Sequence, residues 1–304
     1  MSCVVNPEVG FEQPWRTWWA AQRATTRVAR PPVLVVGGGP AGLEAAVTAR
    51  RLGYEVRLSD AGDRLGGHVR YAAALAGRER IALLVDELAR DLTRLRGTVR
   101  LGQAVTAAEV LAGEWSAVIV ATGAVPSARP VPGLATLTVT EAIERSDDVG
   151  DAVAVFDETG DWAAAALTEH LARTGRHVVL LTPVAGVAWN VTTYSRLGLL
   201  HRFGERDVEV HSLRRPVRGD GSDLVVADTL TGREERLAGV ATLVHVGTPE
   251  AADELFRQLD RARDGAPARL VGDAYAPRSA LEAVFEGRSA AAQLLTGGWE
   301  DRFP

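Results

Sequence analysis

Short unbroken apolar runs alternate with stretches of helical spacing along most of the chain. Val33-Leu34-Val35-Val36 is the first run, and apolar residues at helical spacing continue from Leu43 to Leu52. Glu55 to Ser59 reads as a second strand. Residues 79–95 put Ile81, Leu84, Val85, Leu88, Leu92 and Leu95 on one face of a helix. Val99 to Leu101 is a short strand, and Trp115 to Val120 a buried one. The pattern then restarts with a strand over Ala152 to Phe156, a helix over Trp162 to Arg173 and a strand over His177 to Thr182. Residues 207–247 read as short strands joined by turns such as Asp220-Gly221 and Thr231-Gly232, ending in the buried run Leu243 to Gly247. A last strand over Leu270 to Asp273 and a helix over Ser279 to Leu295 complete the chain. Apolar runs without alternation suit strands covered on both faces, so the pattern predicts α/β architecture with parallel sheets.

Gly37, Gly39 and Gly42 follow the first run as G-x-G-x-x-G. Gly37 suits the tight turn, Gly39 lets a pyrophosphate approach the backbone, and Gly42 allows helix and strand to pack closely. Gly37, Gly38, Gly39, Pro40, Ala41 and Gly42 are therefore expected to cradle phosphates at the positive end of the helix. Asp60 ends the second strand, 18 residues beyond Gly42, where a carboxylate accepts hydrogen bonds from a ribose. The restart after residue 140 predicts two Rossmann-like domains, one inserted in the other. Residues 33–140 and 248–304 form the first, and residues 141–247 the second.

The second glycine loop is degenerate. Asp157-Glu158-Thr159-Gly160-Asp161-Trp162 has one glycine and sets three carboxylates where a pyrophosphate would approach. Like charges there are unfavourable. No acid ends the next strand, Leu180-Leu181-Thr182-Pro183. No functional NAD(P) site is expected in this domain.

Net charge is −5, which gives no basic footprint for nucleic acid. All 34 basic residues are arginine, so no lysine is present to form a Schiff base or act as a base. Cys3 is the one cysteine, which excludes an internal disulfide. No apolar run is long enough for a membrane span, and the first residues lack the pattern of a signal peptide; a cytoplasmic protein is expected. Residues 1–32, with Phe11, Trp15, Trp18 and Trp19 among prolines, form an aromatic arm. Such an arm either folds over its own domain or anchors on a partner; contact with a partner is expected, since buried aromatics are favoured anchors. No Ser-His-Asp arrangement or histidine cluster is evident. No residue is therefore assigned as catalytic, and any chemistry must come from a cofactor.

Gly37-x-Gly39-x-x-Gly42, Asp60, Gly66-Gly67-His68, Ala121-Thr122-Gly123 and Gly272-Asp273-Ala274-x-Ala276-Pro277-Arg278 occur in that order. Together they resemble the C-terminal half of the trimethylamine, dimethylamine and histamine dehydrogenases. They are similar, less closely, to the same half of 2,4-dienoyl-CoA reductase. The resemblance covers nearly the whole chain and implies a glutathione-reductase-type fold binding FAD, or ADP alone in the same site. It implies that Gly66 and Gly67 pass close to the ligand and that Ala121, Thr122 and Gly123 lie by the nucleotide. His68 would sit beside a phosphate or ribose, or else serve as a packing residue. Asp273 would lie near the ribityl or pyrophosphate end of FAD, or else cap the last helix. Arg278 would neutralise phosphate or pair with Asp273.

In that family an FMN-carrying TIM barrel precedes these domains, and four cysteines hold a [4Fe–4S] cluster. Cys3-Val4-Val5-Asn6-Pro7 resembles the sequence around the fourth cysteine. Cys3 is then a metal ligand completing a cluster shared with a separate barrel subunit, or a relic. The resemblance implies an electron-transfer or scaffold subunit of a heteromeric amine or N-methyl-compound dehydrogenase. The alternatives are an NAD(P)H-dependent reductase subunit feeding an enoate-reductase-like barrel, and a non-redox module with structural ADP.

Overall fold

A computed structural model describes residues 3–23, 32–262 and 267–294. The chain forms two compact units. One comprises residues 1–70, 81–125 and 251–304, the other residues 71–80 and 126–250.

The first unit contains helix α1 (Glu12–Arg23), strand β1 (Val33–Val36), helix α2 (Pro40–Arg51), β2 (Val56–Ser59), α3 (Ala82–Arg94), β3 (Thr98–Arg100), β4 (Ala117–Val120), β5 (Ala268–Leu270) and α4 (Ala280–Gln293). Its sheet is parallel throughout, in the order β5-β4-β1-β2-β3. Every residue of β1 and β4 is buried. Val33 and Val35 face a core shared with α2, α3 and α4, while Leu34 and Val36 face a second core with Val110 and Leu259. Burial on both faces is why these strands read as continuous apolar runs.

The second unit has its own parallel sheet, in the order Ala135–Thr138, Thr242–Val246, Ala152–Asp157, His177–Thr182, Glu209–Ser212. Helices Trp162–Arg173 and Thr193–Gly204 pack on one face, and an antiparallel three-stranded meander over residues 214–237 covers the other.

The division falls at 125/126 and 250/251 rather than at the expected 140/141 and 247/248. Strand Ala135–Thr138 pairs with Thr242–Val246, and the Gly219 N–H donates to the Pro132 carbonyl, so the Pro-rich crossing belongs with the second unit. The arm contains a helix, α1, that the proline-broken pattern did not predict, and its Trp15 is fully buried within the first unit. The last strand ends at Leu270, and Gly272–Ala274 turns as 3₁₀ helix instead of continuing it.

Candidate functional site

β1 delivers the chain to Gly37 at the carboxyl end of the sheet, where ligands of open α/β sheets bind. Gly37 has φ +110°, and a Cβ there would lie 2.0 Å from the Ala121 carbonyl oxygen. A Cβ on Gly42 would lie 1.9 Å from the Gly37 carbonyl oxygen and 3.3 Å from the Ala121 methyl group. These two glycines let strand, loop and helix close on each other. Gly39 differs: a Cβ there would meet nothing within 4 Å. Gly39 is also the N-cap of α2, and no side chain caps that end. By contrast, Thr106, Thr138, Asp161 and Ser279 each cap their own helix. The first turn of α2 thus begins without a side-chain cap, beside the open space at Gly39, with Pro40 at a position where a missing N–H costs nothing.

Asp60 is tied to this loop. Its Oδ2 accepts from the Gly38 N–H at 2.5 Å and its Oδ1 from the Gly62 N–H at 2.7 Å. The carboxylate stays half-exposed and keeps lone pairs for further donors. The Gly66 N–H donates to the Gly38 carbonyl at 2.7 Å, and a Cβ on Gly67 would lie 3.2 Å from the Gly39 Cα. Gly272, at φ +65°, comes in from the other side, where a Cβ would lie 2.8 Å from the Ala41 Cβ. The structure thus gathers Gly37 to Gly42, Asp60, Gly66, Gly67, Ala121 and Gly272 around one loop.

His68 is solvent-accessible, but the protein around it disfavours its charged form and holds its pKa below the usual histidine value; the Asp273 carboxylate opposes this. Three other side chains are turned to local partners. The Thr122 hydroxyl donates to the Ala252 carbonyl at 2.5 Å, and the Ala252 N–H donates to the Gly123 carbonyl at 3.0 Å. The Arg278 guanidinium pairs with Glu286, whose other oxygen accepts from the Gly272 N–H at 2.7 Å. Asp273 does not cap α4. Ser279 does, in a capping box with Glu282, and Asp273 instead accepts from the Arg278 backbone N–H at 3.1 Å. Glu286 was missed in the sequence because its partner, the Gly272 N–H, lies 14 residues away across a turn.

A buried ion triad was also missed. Glu44, on α2, is 1% exposed, and its Oε1 accepts from Arg288 Nε at 2.6 Å and from the Thr48 hydroxyl at 3.1 Å. Arg288 Nη1 reaches Glu8 Oε1 at 2.6 Å. Burial pushes the Glu44 carboxyl above its ordinary range, and Arg288 opposes the shift. A charged residue inside the small-apolar run Leu43-Glu44-Ala45-Ala46-Val47 was the available signal.

The equivalent loop of the second unit is closed on itself. Asp157 is 1% exposed, and its Oδ1 accepts from the Thr159 N–H at 2.9 Å, the Gly160 N–H at 2.8 Å and the Thr159 hydroxyl at 3.2 Å. Asp161 caps the following helix through the Ala163 N–H at 2.8 Å. The Trp189 ring packs on Gly160, where a Cβ would lie 2.1 Å from it. Glu158 is held by His245 Nε2 at 2.8 Å and by Arg129 at 3.2 Å. The backbone donors at this turn are thus taken by carboxylates of the chain itself.

Burial is the leading cause that pushes the Asp157 carboxyl above its ordinary range, and its amide donors oppose it. A raised folded-state pKa binds the proton more tightly in the folded state. Its contribution is then fully present below the unfolded pKa and is lost as pH rises through the folded value. Asp157→Asn keeps an acceptor oxygen and removes that titration. Thermal unfolding of the two proteins from acid to neutral pH is expected to show the variant gaining relative stability as pH rises. A constant difference across that range would contradict the assignment.

A family profile, pyridine nucleotide-disulphide oxidoreductase, matches residues 31–267. The chain belongs to this family. It is a flavoprotein family of redox enzymes. Among curated relatives, an NADH oxidase from Thermoanaerobacter brockii is 26% identical over 97% of this chain and 44% of its own length. A dimethylamine dehydrogenase from a Hyphomicrobium species is 26% identical over 96% of this chain and 45% of its own. The solved 6-hydroxypseudooxynicotine amine oxidase from Pseudomonas geniculata N1 superposes with a TM-score of 0.85 at 27% identity, covering 96% of this chain and 46% of that one. The chain thus spans about half the length of the curated relatives it matches.

Among the described residues, no group of three or more His, Cys, Asp or Glu side chains could hold a metal ion, and no helix is long and apolar enough to cross a membrane. Cys3 is half-buried.

Proposed function

We propose that this chain is the FAD- or ADP-binding electron-transfer or scaffold subunit of a cytoplasmic, heteromeric flavin and iron–sulfur oxidoreductase acting on an amine or N-methyl compound. The observation that carries this reading is the contrast between the two glycine loops. The first presents uncapped helix N–H groups and an open Gly39, while the second has its donors filled by Asp157 and Asp161. The residues of the first fit a dinucleotide, and those of the second do not.

In this reading the Gly37 to Gly42 backbone holds the pyrophosphate. Asp60 accepts from the adenosine ribose while keeping its bonds to Gly38 and Gly62. Gly66 and Gly67 keep the neighbouring loop thin enough to pass the ligand, with His68 and Asp273 at its edge. Thr122, Gly123 and Arg278 shape the site through Ala252 and Glu286. FAD, when bound, supplies one- and two-electron transfer, and the chain contributes position and a preorganised backbone.

Cys3 supplies one thiolate where a [4Fe–4S] cluster takes four. Such a cluster needs three more cysteines than this sequence carries, and we propose that a separate FMN-binding TIM-barrel subunit, which carries out substrate oxidation, supplies them. Both the dimethylamine dehydrogenase and the amine oxidase are about twice the length of this chain, which fits a second half carried elsewhere.

A second reading is an NADH-dependent reductase subunit, favoured by the NADH oxidase that matches 97% of the chain. Anaerobic titration with NADH and NADPH separates the two. The closed second loop predicts that neither cofactor bleaches the flavin band of the FAD-loaded protein. Fast, stoichiometric bleaching would establish the second reading.

A further inference from the structure

The Glu8–Arg288–Glu44 triad joins three parts of the first unit that are far apart in sequence. Glu8 lies in the N-terminal segment that carries Cys3, Arg288 on α4, and Glu44 on α2, immediately after the glycine loop. The Arg288 guanidinium also lies over the Trp15 ring, 5.7 Å from its centroid, and Trp15 is fully buried. Trp19 Nε1 donates to the same Glu8 oxygen at 2.9 Å, and Val4 packs against the core that α2 and α4 share. A planar guanidinium with donors on two sides can bridge two carboxylates in this way, and an ammonium cannot reproduce the geometry.

The neighbouring residue on α4 touches the nucleotide cradle itself. A Cβ on Gly287 would lie 2.2 Å from the Ala41 carbonyl oxygen, so α4 runs against the first turn of α2. Gly272 closes on the same residue. Ala41 belongs to the uncapped turn beside the open space at Gly39. The side chain that seats the N-terminal segment and the backbone that seats the first turn of α2 are therefore adjacent residues of one helix.

We propose that Arg288 is a positioning residue that couples the seating of the N-terminal segment to occupancy of the nucleotide site. Bound nucleotide fixes the first turn of α2 against α4, which holds Arg288 in place to receive Glu8. Release of the segment opens the Trp15 site and loosens α4 at Ala41. The coupling rests on the nucleotide site proposed above; the seating itself does not. By reciprocity, the factor by which nucleotide favours the seated segment equals the factor by which the seated segment favours nucleotide.

Cys3 is the chain's one cysteine, so a thiol reagent reports on this segment alone. The test uses the nucleotide-free full chain, wild type and Glu8→Gln, with ADP as the probe. Glu8 is in the segment and outside the loop, so its variant leaves the phosphate cradle chemically intact. We expect ADP to slow the reaction of wild-type Cys3 with Ellman's reagent, and Glu8→Gln to speed it. We also expect ADP to bind the variant about tenfold more weakly, within the usual range for coupled sites. A variant that frees Cys3 yet binds ADP like wild type would overturn the coupling and leave the nucleotide site standing. Unchanged Cys3 reactivity in the variant would overturn the seating. Failure of the wild type to bind either ADP or FAD would overturn the nucleotide site, and the coupling with it.

Discussion

Gly42→Ala is expected to abolish nucleotide binding and to destabilise the first unit in a single step. The added methyl group would sit 1.9 Å from the Gly37 carbonyl oxygen and 3.3 Å from the Ala121 methyl, and both neighbours are fixed. The carbonyl belongs to a backbone turn at φ +110°, and Ala121 is held through its N–H to the Val36 carbonyl at 2.7 Å. α2 must therefore move off β1, the contact on which the buried face of the sheet depends. Overpacking of this kind costs about 1–3 kcal/mol, and more where backbone must shift. An unfolding midpoint well below wild type, with no ADP or FAD retained, is the expected result. A variant with wild-type melting behaviour would show that strand and helix are not in contact as described.

Arg288→Met carries the second large effect. It leaves Glu44 fully buried, with Thr48 as its remaining side-chain partner. Breaking a buried pair from one side costs about 3–5 kcal/mol, because the remaining charge has no compensation. The loss should depend on pH in a defined direction. Burial already raises the Glu44 pKa, with Arg288 opposing, so removing Arg288 raises it further. The folded variant then binds the proton more tightly than the unfolded chain. Its stability is highest below the ordinary carboxylate range and falls as pH climbs through the raised value. Denaturant unfolding at acidic and neutral pH should show the deficit shrinking in acid, and a deficit that grows in acid would contradict this. Replacing Glu44 by Leu together with Arg288 by Met should recover part of the loss, since an apolar pair of similar volume needs no solvation.

What was legible in the sequence was local. The β1–loop–α2 unit could be read because its signal lies within 20 residues: an apolar run, three spaced glycines and a helical pattern. That the sheets are parallel followed from central runs that are apolar on both faces, whereas the strand order and the partly exposed edge strands were not read from it. Contacts across long separations were illegible. Glu8 and Arg288 are 280 residues apart, and nothing near either identifies the other. Helix α1, largely exposed apart from Trp15, was hidden for the same reason, since Trp15 is covered by a residue from the far end of the chain. Helix Glu254–Ala262 was within reach, because Leu255, Phe256 and Leu259 share one face.

The second loop shows a different kind of limit. Its charge pattern indicated poor phosphate binding through repulsion. What that pattern did not indicate is that Asp157 accepts from the amides of Thr159 and Gly160. A lone carboxylate and a carboxylate serving as an internal acceptor look alike in sequence. Similarly, Arg278 was expected to neutralise phosphate or to pair with Asp273, but its guanidinium pairs with Glu286 and Asp273 accepts from its backbone N–H.

The Gly37 to Gly42 loop is proposed to hold the dinucleotide. Gly39→Ala tests it most directly, because a Cβ there meets nothing within 4 Å of protein and should leave the fold untouched. The same methyl group points into the space assigned to the pyrophosphate. The measurement is the nucleotide released on denaturation, identified by mass spectrometry and counted per chain. One FAD or ADP from the wild type and none from a Gly39→Ala protein of unchanged melting temperature is the predicted result. Equal nucleotide content in the two proteins, or a wild type that releases none, would contradict it.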